Sequence, residues 1–258
     1  MSRAIHVQRA GRVTILTMDR PQVRNALDAE AQAELSAAFD AFAADDDQWV
    51  AILTGAGGAA FCAGHDLKTP APQGPGEMPK GGFGGLTDRF DLDKPIIAAV
   101  NGVAVGGGFE MALACDLIVA AESASFALPE VKVGMAALGG GALRLPRQIG
   151  LKRAMGMMLT GRRVSAAEGY TLGFVNQVVA DGDLSRVALE WADALLAASP
   201  LAVRATKRVG LDLAGEPLAQ AMQDQWKLPA VERLQGSADA VEGVAAFAAR
   251  RPPQWTGR

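Results

Sequence analysis

The chain has 258 residues, half of them hydrophobic, and a formal net charge of −3 with a pI near 5.5. That balance argues against a general nucleic-acid binder, which shows a basic patch or stripe. Two cysteines, Cys62 and Cys115, are too few for a disulfide framework and predict a reducing, cytoplasmic setting. The apolar run near residue 100 is interrupted by Asn101, Glu110 and Asp116, so it does not read as a membrane span.

Ile5, Val7 and Arg9 alternate with their neighbours, as do Val13, Ile15 and Thr17, with Ala10-Gly11 between. This predicts an edge hairpin rather than a signal segment. Asp19-Arg20-Pro21 stops the second strand, and Asp28 is the expected N-cap of a helix with Leu35, Ala38, Phe39 and Phe42 on its apolar face. Asp45-Asp46-Asp47 ends that helix, and Trp49 to Thr54 reads as a strand. Strand, helix and strand predict a parallel unit with a right-handed crossover.

Gly55 to Ala60 imitates a dinucleotide fingerprint, G-x-G-x-x-A. The context fails, because this strand does not open a βαβ unit and no helix pattern follows it. Phe61-Cys62-Ala63-Gly64-His65-Asp66-Leu67-Lys68 comes instead. With no second Cys/His pair, a zinc site is not expected there, and Cys62 reads as a small buried hydrophobe. Residues 69–85 are dominated by Pro and Gly and read as a loop or lid over a site.

The central stretch runs from Lys94 to Asp116. Ile96 to Val100 is a short apolar strand bounded by Asn101-Gly102. Phe109 to Cys115 is a helix, and Gly106-Gly107-Gly108 precedes it. A Gly-rich turn into a helix presents free backbone N–H groups with the helix dipole behind them, so it favours negative charge. Glu110 lies three residues after Gly107, among Phe109, Met111, Ala112 and Leu113. A carboxylate in such company is expected to be buried and functional; the plain alternative is a dipole-complementing surface charge.

Leu117 to Ala121 is a further strand, Ser125 to Ala127 is extended, and Leu128-Pro129-Glu130 breaks it. A second Gly triplet, Gly139 to Gly141, follows, and helices are expected from Gly150 on. Ser165 to Glu168 is a capping box, Val175 to Val179 a last strand, and Ser199-Pro200 a helix start. Two amides from separate Gly-rich turns, at His65 and Gly107, could converge on one oxygen and form an oxyanion hole. Two carboxylates in an apolar setting, Glu110 and Glu130, could then divide acid and base roles.

These motifs, taken in order, resemble the crotonase (enoyl-CoA hydratase/isomerase) superfamily. They are Phe61 to Leu67, Ala99 to Gly102, Gly106 to Glu110, and Pro129-Glu130. Arg20-Pro21, Asn25-Ala26-Leu27, Arg144-Leu145-Pro146, Thr160-Gly161-Arg162, Gly173-Phe174-Val175 and the closing Glu242-Gly243, Phe247 and Arg251 also match. The resemblance spans essentially the whole chain. It implies an α/β fold with a core of spiral ββα turns, residues 1–195, and a C-terminal helical trimerisation region, residues 196–258. It implies a homotrimer or a hexamer of paired trimers, with no nucleic acid or membrane partner.

The resemblance also implies an acyl-CoA thioester substrate and no cofactor beyond the coenzyme A that the substrate carries. The thioester oxygen would sit between the N–H groups of His65 and Gly107. Glu110 and Glu130 match the paired catalytic glutamates of hydratases: both would hold the water, and Glu130 would exchange the α-proton. Arg24, Ala63, His65, Asp66, Leu67 and Lys68 fall where relatives contact CoA, although Arg24 and Lys68 could also be ordinary surface charge. The implied activity is enoyl-CoA hydration. Its alternatives are a Δ3,Δ2-enoyl-CoA isomerase or a carnitinyl-CoA dehydratase-like enzyme, which the Ala127-to-Glu130 and Leu143-to-Pro146 contexts resemble. A silent partner protein or RNA binder is the remote alternative. Ala137 and Leu138 replace the family's usual Pro and Gly, which puts the acyl end of the pocket in question.

Overall fold

A computed structural model describes residues 4–66 and 79–258. The chain opens with the antiparallel hairpin β1 (Ile5–Ala10) and β2 (Val13–Met18), turned at Gly11. Helix α1 (Ala29–Ala44) starts where Asp28 caps it, its side chain accepting the Ala31 N–H at 2.9 Å. Leu35, Phe39 and Phe42 are buried on the inner face of α1. Strand β3 (Val50–Gly55) then pairs parallel with β2, as the crossover rule requires.

After β3 the chain alternates between two sheets. β4 (Ala60–Cys62), β6 (Val103–Val105) and β8 (Ser125–Ala127) are short, while β5 (Ile96–Val100) and β7 (Leu117–Ala121) are longer. Helix α2 (Gly107–Ala114) follows β6. The helices α3 (Gly141–Ile149) and α4 (Leu151–Thr160) lead to β9 (Val164–Ser165), α5 (Ala166–Leu172) and β10 (Gln177–Val179). The six-stranded sheet has the order β1-β2-β3-β5-β7-β10, and the four-stranded sheet the order β4-β6-β8-β9. Each of β3, β5 and β7 therefore hands the chain to a short strand of the other sheet, which gives the spiral ββα repeat.

Strand β5 lies between β3 and β7, and all five of its residues are buried. A central parallel strand covered on both faces needs a continuous apolar run, and Ile96 to Val100 supplies it. The turn from β5 to β6 is fixed by Asn101, whose Nδ2 donates to the Gly55 carbonyl at 2.8 Å and whose Oδ1 accepts the Gly55 N–H at 3.2 Å. The phenyl rings of Phe109, Phe126 and Phe174 meet at centroid distances of 5.1–5.2 Å behind α2.

Helix α6 (Leu184–Leu196) packs on the six-stranded sheet, and α7 (Pro200–Asp212), α8 (Leu218–Asp224), α9 (Pro229–Gln235) and α10 (Ala238–Ala248) form the helical C-terminal region. Buried Asp239 ties down the C-terminus, accepting from Thr256 N and Oγ1 and from Gly257 N.

The structure corrects several sequence expectations. Helix α2 begins at Gly107, two residues before the apolar pattern, because glycine carries no apolar signal. The helical stretch after the second Gly triplet starts at Gly141 rather than Gly150. The last strand is Gln177–Val179, not Val175–Val179. The short strands β4, β6 and β9 were not expected at all, since two or three residues leave no readable period.

Candidate active site

The two Gly-rich turns meet. Leu27 forms a parallel bridge with His65: the Leu27 N–H donates to the Gly64 carbonyl at 2.9 Å, and the Asp66 N–H donates to the Leu27 carbonyl at 3.0 Å. In that geometry the N–H of His65 points to the opposite side. β4 pairs with β6, which carries the chain to Gly106. A Cβ on Gly64 would stand 3.2 Å from the Gly107 nitrogen, so the two turns are in contact. Neither the His65 N–H nor the Gly107 N–H has a backbone acceptor among the described residues. Gly107 N is also one of the orphan donors at the start of α2.

Close approach dictates the glycines here. A Cβ on Gly108 would lie 2.0 Å from the Cys62 carbonyl oxygen, and one on Gly107 would meet the Phe83 ring at 2.6 Å. Gly106 adopts φ 55° and ψ −132°, which only glycine takes readily.

Glu110 points from the first turn of α2 into the site and is 5% exposed. Its Oε1 accepts the Gly141 N–H at 2.9 Å. A Cβ on Gly139 would come within 2.5 Å of Oε2, so the second Gly triplet wraps the carboxyl group. Burial raises its pKa from 4.5 to about 7; the charge of Glu130 adds to the rise, while the Gly141 amide and Arg144 oppose it.

Glu130 opens a short 3-10 turn, Glu130–Val133, after β8. Its Oε1 lies beside Gly106, 3.3 Å from where a Cβ would be, so its carboxyl group sits at the mouth of α2. Its Oε2 is buried without a hydrogen-bond partner among the described residues. Desolvation raises its pKa as well. Both carboxyl groups are thus shifted toward the protonated form, Glu110 partly by the charge of Glu130. The structure thus brings His65, Gly107, Glu110 and Glu130 together.

The expected CoA contacts divide. The Ala63 N–H donates to the Arg24 carbonyl at 3.0 Å, so Arg24 and Ala63 adjoin at the rim of the turn, with the Arg24 side chain exposed. Asp66 is buried, and its carboxylate faces Arg20 at 3.4 Å, within a network that joins Arg20 to Asp28 at 2.6 Å. The His65 ring is exposed and lies 3.5 Å from Gln32. Leu67 and Lys68 lie outside the described residues, as does the 69–78 part of the expected lid. Cys62 is fully buried, and burial pushes its thiol up to about 12, as a core residue rather than a nucleophile. Among the described residues, no His/Cys/Asp/Glu group could hold a metal ion.

Sequence reasoning missed three participants: the Gly139–Gly141 turn as the cradle of Glu110, Phe83 as the platform under Gly107, and Arg144 behind both. The Gly triplet was visible, but nothing in it pointed to a carboxylate some thirty residues upstream. Leu138 is 84% exposed, whereas Ala137 is buried against Gly141, so Ala137 is the member of that pair that lines the cradle.

Comparison with known proteins agrees with this geometry. The Enoyl-CoA hydratase/isomerase family model matches residues 8–258. Carnitinyl-CoA dehydratase of Salmonella typhi is 44% identical over the whole of both chains. Crystal structures of enoyl-CoA hydratases from Mycobacterium tuberculosis H37Rv and Mycobacterium marinum superpose over both full chains with a TM-score of 0.93, at 42% and 43% identity. With the family match covering nearly the entire length and the spiral core reproduced, the chain belongs to the enoyl-CoA hydratase/isomerase (crotonase) family.

Proposed function

We propose that the protein is a hydro-lyase that interconverts a 3-hydroxyacyl-CoA with the 2-enoyl-CoA and water, working as a carnitinyl-CoA dehydratase-like enzyme. The observation that carries this reading is the pair of glutamates, buried Glu110 and half-buried Glu130, set beside two free amides. In the dehydrating direction the thioester oxygen accepts from the N–H groups of His65 and Gly107. Glu130 removes the α-proton, and the electron pair moves into the thioester as an enolate stabilised by the two amides. The enolate then collapses, the carbon–oxygen bond at the β-carbon breaks, and Glu110 supplies the proton that lets hydroxide leave as water. Loss of one such amide typically costs about 2.7–4 kcal/mol of barrier. Reversal hydrates the enoyl thioester with the same groups. In this reading the chain supplies all of the proton transfer, and the substrate brings its own coenzyme A, held along Arg24, Ala63, His65, Asp66, Leu67 and Lys68.

The full-length identity to proteins named carnitinyl-CoA dehydratase favours that acyl group. The hydratase names of the structural neighbours favour the second reading, hydration of a simple enoyl-CoA. An isomerase needs only one carboxylate, so the pair disfavours it. Leu218, Met222, Trp226, Val241, Val244 and Phe247 leave a large apolar surface exposed on the C-terminal helices and their connections, in keeping with a homotrimer or hexamer in the cytoplasm. Among the described residues no helix is long and apolar enough to cross a membrane.

The test follows the conjugated enoyl-thioester absorbance on addition of carnitinyl-CoA, 3-hydroxybutyryl-CoA or crotonyl-CoA. Carnitinyl-CoA is expected to give the highest kcat/KM, with activity lost in both Glu110→Gln and Glu130→Gln. Preference for crotonyl-CoA would select the second reading. Activity surviving in either variant would overturn the two-carboxylate mechanism.

A further inference from the structure

Arg144 sits one turn into α3, three residues beyond the Gly141 amide that holds Glu110. Its Nη2 donates to the Thr87 carbonyl at 2.7 Å. The Thr87 hydroxyl accepts the Phe83 N–H at 2.9 Å, and the Phe83 ring rests on Gly107. A continuous run of contacts therefore leads from Arg144 through Thr87 and Phe83 to the amide of the oxyanion hole. The guanidinium also lies over the Phe90 ring at 5.6 Å. Gly140, at φ +103°, leaves room for it: a Cβ there would stand 2.0 Å from Nη1.

The charge of Arg144 has a second consequence. Among the described residues no carboxylate lies within ion-pairing reach of this half-buried guanidinium. The groups that act on it are Asp88, Glu110 and Cys115 from neighbouring elements and Arg147 from α3 itself. Those that act on Glu110 are Glu130, Arg144 and the amides of Gly139 and Gly141. Arg144 is thus a basic side chain whose charge acts on Glu110.

Resting on the reaction proposed above, we propose that Arg144 is a positioning residue. It holds residues 83–90 against the Gly107 amide, and it sets a positive charge against the paired carboxylates. It does not touch the substrate. Its effect therefore falls on kcat and on the protonation of Glu110 rather than on KM.

The test compares Arg144→Gln with Arg144→Lys in the full-length protein. The 13C carboxyl resonance of Glu110, assigned by its loss in Glu110→Gln, is titrated, and kcat, KM and the melting temperature are measured beside it. Arg144→Gln is expected to raise the Glu110 midpoint by roughly half a pH unit or more. It should lower kcat about tenfold with KM within threefold of wild type. Arg144→Lys should keep the wild-type midpoint and recover part of kcat. A folded Arg144→Gln with wild-type midpoint and kcat overturns the proposal, as do equal losses in both variants that follow melting temperature alone. If Arg144→Gln does not fold, Arg144→Lys decides: a lowered kcat at the wild-type midpoint supports the proposal, and any other result overturns it. If the wild type turns over none of the thioesters, the proposed reaction fails on its own, and the Glu110 midpoint still decides the role of Arg144.

Discussion

Replacing Glu110 by Gln should stabilise the folded protein at alkaline pH while abolishing its activity. The carboxyl group titrates at 4.5 when free and at about 7 in the fold, mainly because burial disfavours its charge. The gap is about 2.5 units, and each unit corresponds to about 1.36 kcal/mol, so holding the ionised form costs on the order of 3 kcal/mol. Below pH 4.5 the group is protonated in both folded and unfolded chains and has no pH-dependent effect. As pH rises from 4.5 to about 7 the unfolded chain ionises first, so wild-type stability declines through that window and then levels off. Gln keeps an oxygen for the Gly141 N–H at 2.9 Å and never ionises. Urea unfolding of both proteins at one concentration, at pH 4.5, 6, 7 and 8.5, should show the variant gaining on the wild type with pH, up to about 3 kcal/mol. A difference independent of pH, or a variant less stable at pH 8.5, would refute burial as the cause of the raised pKa.

Other substitutions test the frame around the pair. Gly108→Ala places a Cβ 2.0 Å from the Cys62 carbonyl, so soluble yield and melting temperature should both collapse. Gly107→Ala meets the flatter obstacle of the Phe83 ring, so the protein should fold while kcat drops about 100-fold or more as the amide is displaced; turnover within tenfold of wild type would remove Gly107 from the oxyanion hole. Asn25 is fully buried, and its amide nitrogen donates to the Ala56 and Ala60 carbonyls at 3.0 and 2.8 Å. Asn25→Ala should cost about 2–4 kcal/mol in denaturant melts, because both carbonyls and the Arg20 N–H lose their partner. Asp239→Ala releases Thr256 and Gly257, and limited proteolysis should trim the C-terminus while hydration kinetics hold.

The long elements were legible because each carries enough residues for a period. Asp28 announced α1, the alternation of Ile5 to Thr17 announced the hairpin, and the unbroken run Ile96 to Val100 announced a strand. The four-stranded sheet was not legible: β4, β6 and β9 are two or three residues long, and their pairing is decided by the larger sheet beside them. At the site, the glycines and the two glutamates stood out as residue types in unusual company. What holds them did not, because it is made by backbone and by distant side chains. The Gly141 amide, the Phe83 ring and the Arg144 guanidinium reach the site only once α3 and the 83–90 segment fold against α2.

The same contacts explain why the two acidic groups need not behave alike. Glu110 is gripped by the Gly141 amide and lies in the field of Arg144, so its ionised form is partly supported despite burial. Among the described residues, one buried oxygen of Glu130 has no partner. An oxygen left unsatisfied by the protein is costly unless a ligand supplies the missing hydrogen. In the proposed reaction, the group that exchanges a proton with carbon is thus the one left open, and the group that handles the departing water is the one fixed in place. That asymmetry is built by different elements, the 3-10 turn at Glu130 on one side and the Gly139–Gly141 cradle on the other. Each can therefore be altered without the other: changes in the cradle should shift the pH at which water is activated, and changes in the turn should shift the rate of α-proton exchange, read as solvent deuterium incorporated at the α-carbon.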